Sequence, residues 1–421
     1  MKLTFLCFGS RGDVQPYIAL GVGFQRAGYD VRIATHDIFK DLVTNNGLEF
    51  ALVKGNPRAM LEGNTAHEAL KTGSNSIGMV FKLRKFAEAL MNEMLDSSIA
   101  ACEGSDALLY GLMGIPAYHL ADYWNIPRFP MLLQPVTRTG AFPSIGFPEL
   151  PFGAAYNRFS WILGEQLFGV MLTSITNKWR YQRLDLPRLQ SDEMYRLKVP
   201  YTYGFSEHII PRPADYPDWH RIAGYWFLDQ TTGWSAPEDL VDFIRAGTPP
   251  IYIGFGSMNA GEAHRTTRIV LQAIEQCAQR AVLLRGWGGL HAEDLPDTVH
   301  LIDSIPHEWL FPQMSAIIHH GGAGTTGAAF RAGIPQVVVP HFADQPFWAG
   351  LVHKIGAGTK PLPMNKLNAD DLSRAIQQAV TDKDMRIRAA NLGEKIRAED
   401  GVSRAVEIVD GILRGRKSNL G

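Results

Sequence analysis

The sequence predicts an α/β protein made of two halves, each a parallel sheet with helices on both faces. Three observations point there. Short, almost continuously apolar segments alternate with helix-length segments, as buried parallel strands and their crossovers do. The alternation runs once from the N-terminus and again from Pro250, without obvious sequence repetition. The chain has 421 residues, enough for two domains of ordinary size.

In the first half, "LTFLCF" (Leu3–Phe8) is a strand, followed by the turn-rich "GSRGDVQP". "YIALGVGFQRAGY" comes next. Leu20, Phe24 and Ala27 lie there at helical spacing, and Gly28 reads as a stop. "DVRIAT", "ALLYG" (Ala107–Gly111) and "RFPMLL" (Arg128–Leu133) are further strands of that sheet. In the second half the strands are "PIYIGFGS" (Pro250–Ser257), "AVLLRG" (Ala281–Gly286), "VHLID" (Val299–Asp303), "SAIIHH" (Ser315–His320) and "QVVVP" (Gln336–Pro340). "IIPRPADYPDWH" (Ile209–His220) is rich in proline, which lacks a backbone donor and restricts its predecessor, so the joint is expected there. The expected domains are residues 1–214 and 221–400. A final amphipathic helix at 401–416, with Val402, Ala405, Val406 and Val409 on one face, is expected to pack back on the first. In open parallel sheets ligands bind outside the carboxyl ends of the strands, so the loops after strands are where to look for a site, in a cleft between facing halves.

Bulk properties exclude several classes. Charged residues make up 20% of the chain, with 41 Lys and Arg against 42 Asp and Glu. A net charge of −1 gives no global attraction to nucleic acid, and at most peripheral association with a membrane. The most apolar later stretch, Trp161–Ile175, carries Glu165 and is too short to span a bilayer. The three scattered cysteines, Cys7, Cys102 and Cys277, read as reduced thiols of a cytoplasmic protein. No metal is expected: Asp382-Lys383-Asp384 reads as a solvated turn, and no H-E-x-x-H, G-x-S-x-G or P-loop pattern is present.

The most telling loop is "IIHHGGAGTTGAAF" (Ile317–Phe330). A strand followed by glycines and a helix puts His320 to Thr325 at a helix N-terminus, where free N–H groups and the dipole favour an anion. Thr325 and Thr326 are candidate hydroxyl donors, and a histidine beside the site can donate to an oxyanion. A tight turn with a buried histidine is the plainer reading. Gly322–Gly327 also matches G-x-G-x-x-G, so a nicotinamide oxidoreductase is an alternative, although the nearest acid, Asp344, lies past the strand end. In "GSRGDVQP", Asp13 is either a helix N-cap or a general base kept ionised by Arg11. Ser257 either caps a helix or meets a ligand. Asp344 and Gln345, set among aromatics, suit the hydroxyls and apolar faces of a sugar, or Asp344 simply caps the helix that follows. Phe142 to Phe168, rich in aromatic and aliphatic residues, is either an apolar pocket or lid, or ordinary core.

Taken together the segments resemble the family-1 inverting nucleotide-sugar glycosyltransferases of GT-B fold, in the branch of sterol glucosyltransferases and glycopeptide-antibiotic glycosyltransferases. The resemblance rests on "GSRGDVQPYIALG", "VRIATHDIF", "GLEFALV", "GYWFLD", "GWGGL", the long stretch Pro306–Ala349 and "VHKIGAG", in order along nearly the whole chain. It implies two Rossmann-like domains and metal-independent, inverting transfer of glucose from UDP-glucose to a lipophilic hydroxyl of sterol, polyketide or phenolic type. On it, Asp13 matches the base, and Ser10, Arg11 and Gly12 match the loop that closes over the diphosphate side. Ser257 matches a phosphate contact, and His320, Gly322, Ala323, Gly324 and Thr325 match the diphosphate-binding helix start. Asp344 and Gln345 match the sugar-hydroxyl pair, the Ile305 backbone reads the base, and Trp287 lines the nucleotide end. Where plant members carry a ribose-binding glutamate this chain has Ala328, so no ribose contact is assigned. An epimerase of the same architecture and a catalytically silent UDP-sugar binder are the other readings.

Overall fold

The computed structural model describes residues 1–55, 91–189, 199–229, 234–256, 260–285 and 295–415, and at 168–175 and 260–263 the backbone alone. The chain divides into two compact units. One comprises Met1–Glu207, Pro211–Leu228 and Asp400–Gly421, the other His208–Ile210 and Asp229–Glu399. The expected joint at Ile209–His220 is therefore displaced: the chain crosses at Leu228–Asp229. The reason is burial. Tyr216 and His220 are buried and pack beside Tyr203, so this proline-rich stretch is core rather than linker.

The first unit holds a seven-stranded sheet of order β3-β2-β1-β4-β5-β6-β7, parallel throughout. Its strands are β1 (Lys2–Leu6), β2 (Asp30–Thr35), β3 (Glu49–Leu52), β4 (Ala107–Tyr110), β5 (Arg128–Leu132), β6 (Thr202–Tyr203) and β7 (Arg221–Ile222). Four of the five β1 residues are fully buried, as expected of a strand covered on both faces. The helix Arg11–Arg26 covers one face through Val14, Tyr17, Ile18, Leu20 and Phe24. The C-terminal helix Gly401–Leu413 closes on that helix. A Cβ on Gly23 would stand 2.4 Å from Val402, and Tyr29 donates to Asp410 at 2.5 Å.

The second unit holds a five-stranded parallel sheet of order β10-β9-β8-β11-β12. Its strands are β8 (Ile251–Gly254), β9 (Ala281–Leu284), β10 (Val299–Ile302), β11 (Ile317–His319) and β12 (Gln336–Val338). Separate apolar clusters pack on it, one built on Ile251, Ile253, Ile318 and Val337, the other on Tyr252, Phe311 and Ile317. Strand order reverses between β1 and β4 in one sheet and between β8 and β11 in the other, the places where open α/β sheets take ligands. Among the described residues, no helix is long and apolar enough to cross a membrane.

Candidate functional site

Each unit contributes its own set of groups. In the first, β1 runs out through buried Cys7 and Phe8 into Gly9, whose φ of +125° only glycine adopts freely. A Cβ there would also lie 2.5 Å from Asp13 Oδ2, so any residue with a side chain is excluded on two counts. The helix opens at Arg11, earlier than the sequence suggests, and takes in most of "GSRGDVQP". This corrects the cap assignment: Ser10 occupies the N-cap position and Asp13 lies inside the first turn. Asp13 Oδ2 accepts from both the Ser10 backbone N–H and the Ser10 hydroxyl, each at 2.8 Å. The half-buried carboxylate is thus held in one place, and it answers the positive end of the helix dipole. Arg11 and Gly12 are exposed, and Arg11 Nε donates to Gln15 at 2.9 Å.

Downstream in the same unit, the loop after β5 is fastened to the long helix Gly153–Leu184. Trp161 donates to the Phe142 carbonyl at 3.0 Å, the Ser144 N–H donates to Ser160 at 2.9 Å, and Arg138 pairs with Glu165. That helix and the residue before it expose an apolar stripe of Phe152, Phe159, Ile162, Leu163 and Leu167. Trp161 is instead core, so the expectation for Phe142 to Phe168 divides between the two readings; the Phe168 side chain lies outside the described residues.

In the second unit the paired histidines part company. His319 is fully buried; His320 sits at the sheet edge. The His320 ring lies between two glycines: a Cβ on Gly256 would stand 3.0 Å from Cε1, and one on Gly322 2.5 Å from Nε2. Burial, reinforced by His341, pushes its pKa down to about 4, against a weaker upward pull from the Gly254 backbone. Among the described residues, no hydrogen bond of ordinary geometry reaches its buried Nδ1. The ring is therefore neutral at pH 7.

Gly321, at φ +90°, then turns the chain into the helix Ala323–Ala332. Gly322 is its N-cap, no side chain caps it, and its first turn carries no acid. Its first N–H groups, at Ala323, Gly324 and Thr325, precede the first internal bond, from Thr326 N–H to the Gly322 carbonyl. Thr325 is half-buried and Gly324 faces open space. Thr326 is not a ligand donor: it is fully buried, and its hydroxyl donates to Gly322 O at 2.9 Å.

The His341–Gln345 loop adjoins this turn. A Cβ on Gly321 would come within 3.1 Å of the Gln345 carbonyl. Asp344 occupies the N-cap position of the helix Gln345–Ile355, but its side chain makes no cap bond and accepts from the Trp348 indole at 3.0 Å. Gln345 Oε1 accepts from the His341 and Phe342 N–H groups. Just before Asp344, Ala343 is held at φ +57°, a left-handed conformation that non-glycine residues adopt rarely. The Ile305 side chain is sunk in core, so only its backbone can face a ligand. Ser257 and Trp287 lie outside the described residues. Among those residues no cluster of three or more metal-ligating side chains occurs. Gly9 and Gly256 share a strand-to-loop Phe-Gly-Ser pattern that marks both in the sequence, whereas nothing local marks His341.

A two-sheet α/β protein with a half-buried, fastened acid after its first strand and an uncapped, acid-free helix start at the second sheet's switch point has the parts of a transferase that uses an anionic leaving group. Residues 3–105 match the glycosyltransferase family 28 N-terminal domain, and residues 283–410 match the erythromycin biosynthesis protein CIII-like C-terminal domain. The chain is similar to sterol 3-beta-glucosyltransferases of Emericella nidulans, 37% identical over 422 residues, and of Yarrowia lipolytica, 37% identical over 423. Each alignment covers 97% of this chain but only 30% and 28% of those proteins, so the chain spans less than a third of their length. The calicheamicin glycosyltransferase CalG4 shares the fold with a TM-score of 0.71 at 19% identity, each chain covered over 99%. The glycosyltransferase VinC, solved in complex with dTDP, does so with a TM-score of 0.66 at 17% identity, over 99% of this chain and 100% of its own. The chain has the GT-B fold, carries matches to two glycosyltransferase domains, and has sterol 3-beta-glucosyltransferases among its relatives.

Proposed function

We propose that this protein transfers glucose from UDP-glucose to a hydroxyl of a lipophilic small molecule, with inversion and without a metal ion. Asp13 accepts the proton of the acceptor hydroxyl as its oxygen bonds to the anomeric carbon. The bond from that carbon to the phosphate oxygen breaks on the opposite face, and UDP leaves. The amides of Ala323, Gly324 and Thr325, the helix dipole and His320 take up the charge that develops on the diphosphate. Asp344 accepts from sugar hydroxyls and Gln345 donates to them. The Ile305 backbone meets the base, and Ser10, Arg11 and Gly12 form the loop matched to the diphosphate side.

The single observation that carries this reading is the uncapped helix start beside a neutral histidine, a ready anion site in a member of a sugar-transferring family. The exposed apolar stripe from Phe152 to Leu167 and the sterol-modifying relatives support a lipophilic acceptor. The test incubates the protein with UDP-glucose or TDP-glucose and a panel of sterols, polyketides and phenolics, read by mass spectrometry. A glucosylated acceptor formed with release of UDP is expected. Conversion of the donor to another sugar without any acceptor would instead show an epimerase, and donor binding without transfer or hydrolysis a silent binder.

A further inference from the structure

The reading above leaves His319 without a role. Its Nδ1 accepts from the Gly321 backbone N–H at 3.1 Å. A backbone N–H can only donate, so Nδ1 is bare and the ring proton sits on Nε2. Nε2 then donates to Gln336 Oε1 at 2.9 Å. Both side chains are fully buried. Burial, together with neighbouring His320, holds the imidazole neutral with its pKa near 3, so this tautomer persists at working pH.

Gln336 is itself fixed. It begins β12, its N–H donates to Ala357 O and its carbonyl accepts from Thr359, each at 3.0 Å. Its side-chain nitrogen is buried with no partner among the described residues. An apolar pair at 319 and 336 would avoid that cost if packing alone were at stake. What the pair achieves is a rigid connection from β12 through the imidazole to the Gly321 N–H. Gly321 is the turn that aims the Ala323–Thr325 amides, and it packs against Val338 and the backbone of Gln345.

We propose that His319 is a positioning residue for the donor loop: a single neutral tautomer, required by the Gly321 N–H and anchored by Gln336, pins the Gly321 turn and so aims the amides of the following helix start. This rests on the donor-binding reading above.

The test uses the full chain with His319→Leu, His319→Asn and Gln336→Met. Leucine removes the acceptor for Gly321. Asparagine keeps an oxygen near the Nδ1 position. Methionine removes the acceptor that anchors the Nε2 proton. Calorimetric binding of UDP and TDP is measured beside donor KM, kcat and the unfolding midpoint. His319→Leu is expected to raise Kd and donor KM about tenfold, one lost hydrogen bond's worth, with kcat at saturating donor within about twofold. His319→Asn is expected to recover most of that loss, and Gln336→Met to fall between.

Folded His319→Leu or Gln336→Met protein that binds as the wild type does overturns the proposal. So does His319→Asn that is no better than His319→Leu. If the leucine variant does not fold, the asparagine and methionine variants decide. The ring ¹⁵N shifts of His319 test the tautomer without ligand: a protonated Nδ1 in the wild type, or a pattern unmoved by Gln336→Met, overturns it. Wild-type protein that binds neither nucleotide, with those shifts as expected, would instead sink the donor reading and leave the tautomer lock standing.

Discussion

The loop after β1 and the loop after β11 are built alike up to their last step. Each leaves the carboxyl edge of a parallel sheet through a glycine of positive φ, Gly9 at +125° and Gly321 at +90°, and each opens a helix. The first helix start is then filled from within: Asp13 sits in the first turn and is held by Ser10. The second is left unfilled, with a glycine cap, no acid in the first turn and open space at Gly324. The same local architecture therefore yields opposite chemistry. Where the chain supplies its own carboxylate, the dipole holds a base in place; where it supplies none, the dipole invites an anion from outside.

The most severe way to break this contrast is Asp13→Asn, which keeps the shape and an acceptor oxygen but removes the base. Transfer is expected to fall by about 10²–10⁴-fold with donor affinity within about twofold, read by product formation and calorimetry. Unchanged turnover would remove Asp13 from the chemistry. Next is Gly324→Glu, which gives the second helix start the internal acid that the first possesses. UDP affinity is expected to drop about 100-fold, while the melting temperature holds or rises because an acid in the first turn suits the dipole. Loss of stability with binding intact would mean the helix start is structural only.

A milder test concerns His320. Its pKa in the free protein is about 4, and a bound diphosphate must raise it. Affinity for UDP-glucose should therefore increase as pH falls from 8 to 6, with proton uptake on binding. The slope reaches at most about tenfold per pH unit below the bound-state pKa. His320→Gln should flatten the profile. The smallest effect is expected from Ser10→Ala, which loses one of the two bonds to Asp13. A stability cost of about 1 kcal/mol in urea unfolding, with only a few-fold loss of transfer, would match its role in holding the acid.

Much of this was legible in the sequence where a local rule applied. Apolar strands separated by helix-length segments gave the two parallel sheets, and glycines after "SAIIHH" gave the anion-ready helix start. The Asp13 cap assignment failed because Gly12 and Pro16 read as loop, whereas both are tolerated inside the helix and Ser10 takes the cap. The proline-rich segment at Ile209–His220 failed as a joint because its aromatic residues find long-range core partners such as Tyr203. The double histidine was visible, but its division of labour was not. Strand alternation turns neighbours to opposite sides, and the partner that fixes His319 lies 17 residues away on another strand. Asp344 and Gln345 were flagged for their chemistry, yet their bonds to Trp348 and to their own loop follow from backbone geometry at Ala343 that no local pattern announces.

The central claim is that the Ala323–Thr325 helix start receives the donor's diphosphate. The most direct measurement is a titration of ¹⁵N-labelled protein with UDP-glucose, following the backbone amides of Ala323, Gly324 and Thr325. The account predicts that these signals move with the same saturation curve as calorimetric binding, and that the amides of the Arg11–Arg26 helix start, already answered by Asp13, shift less. Saturable binding that leaves all three signals in place would contradict it.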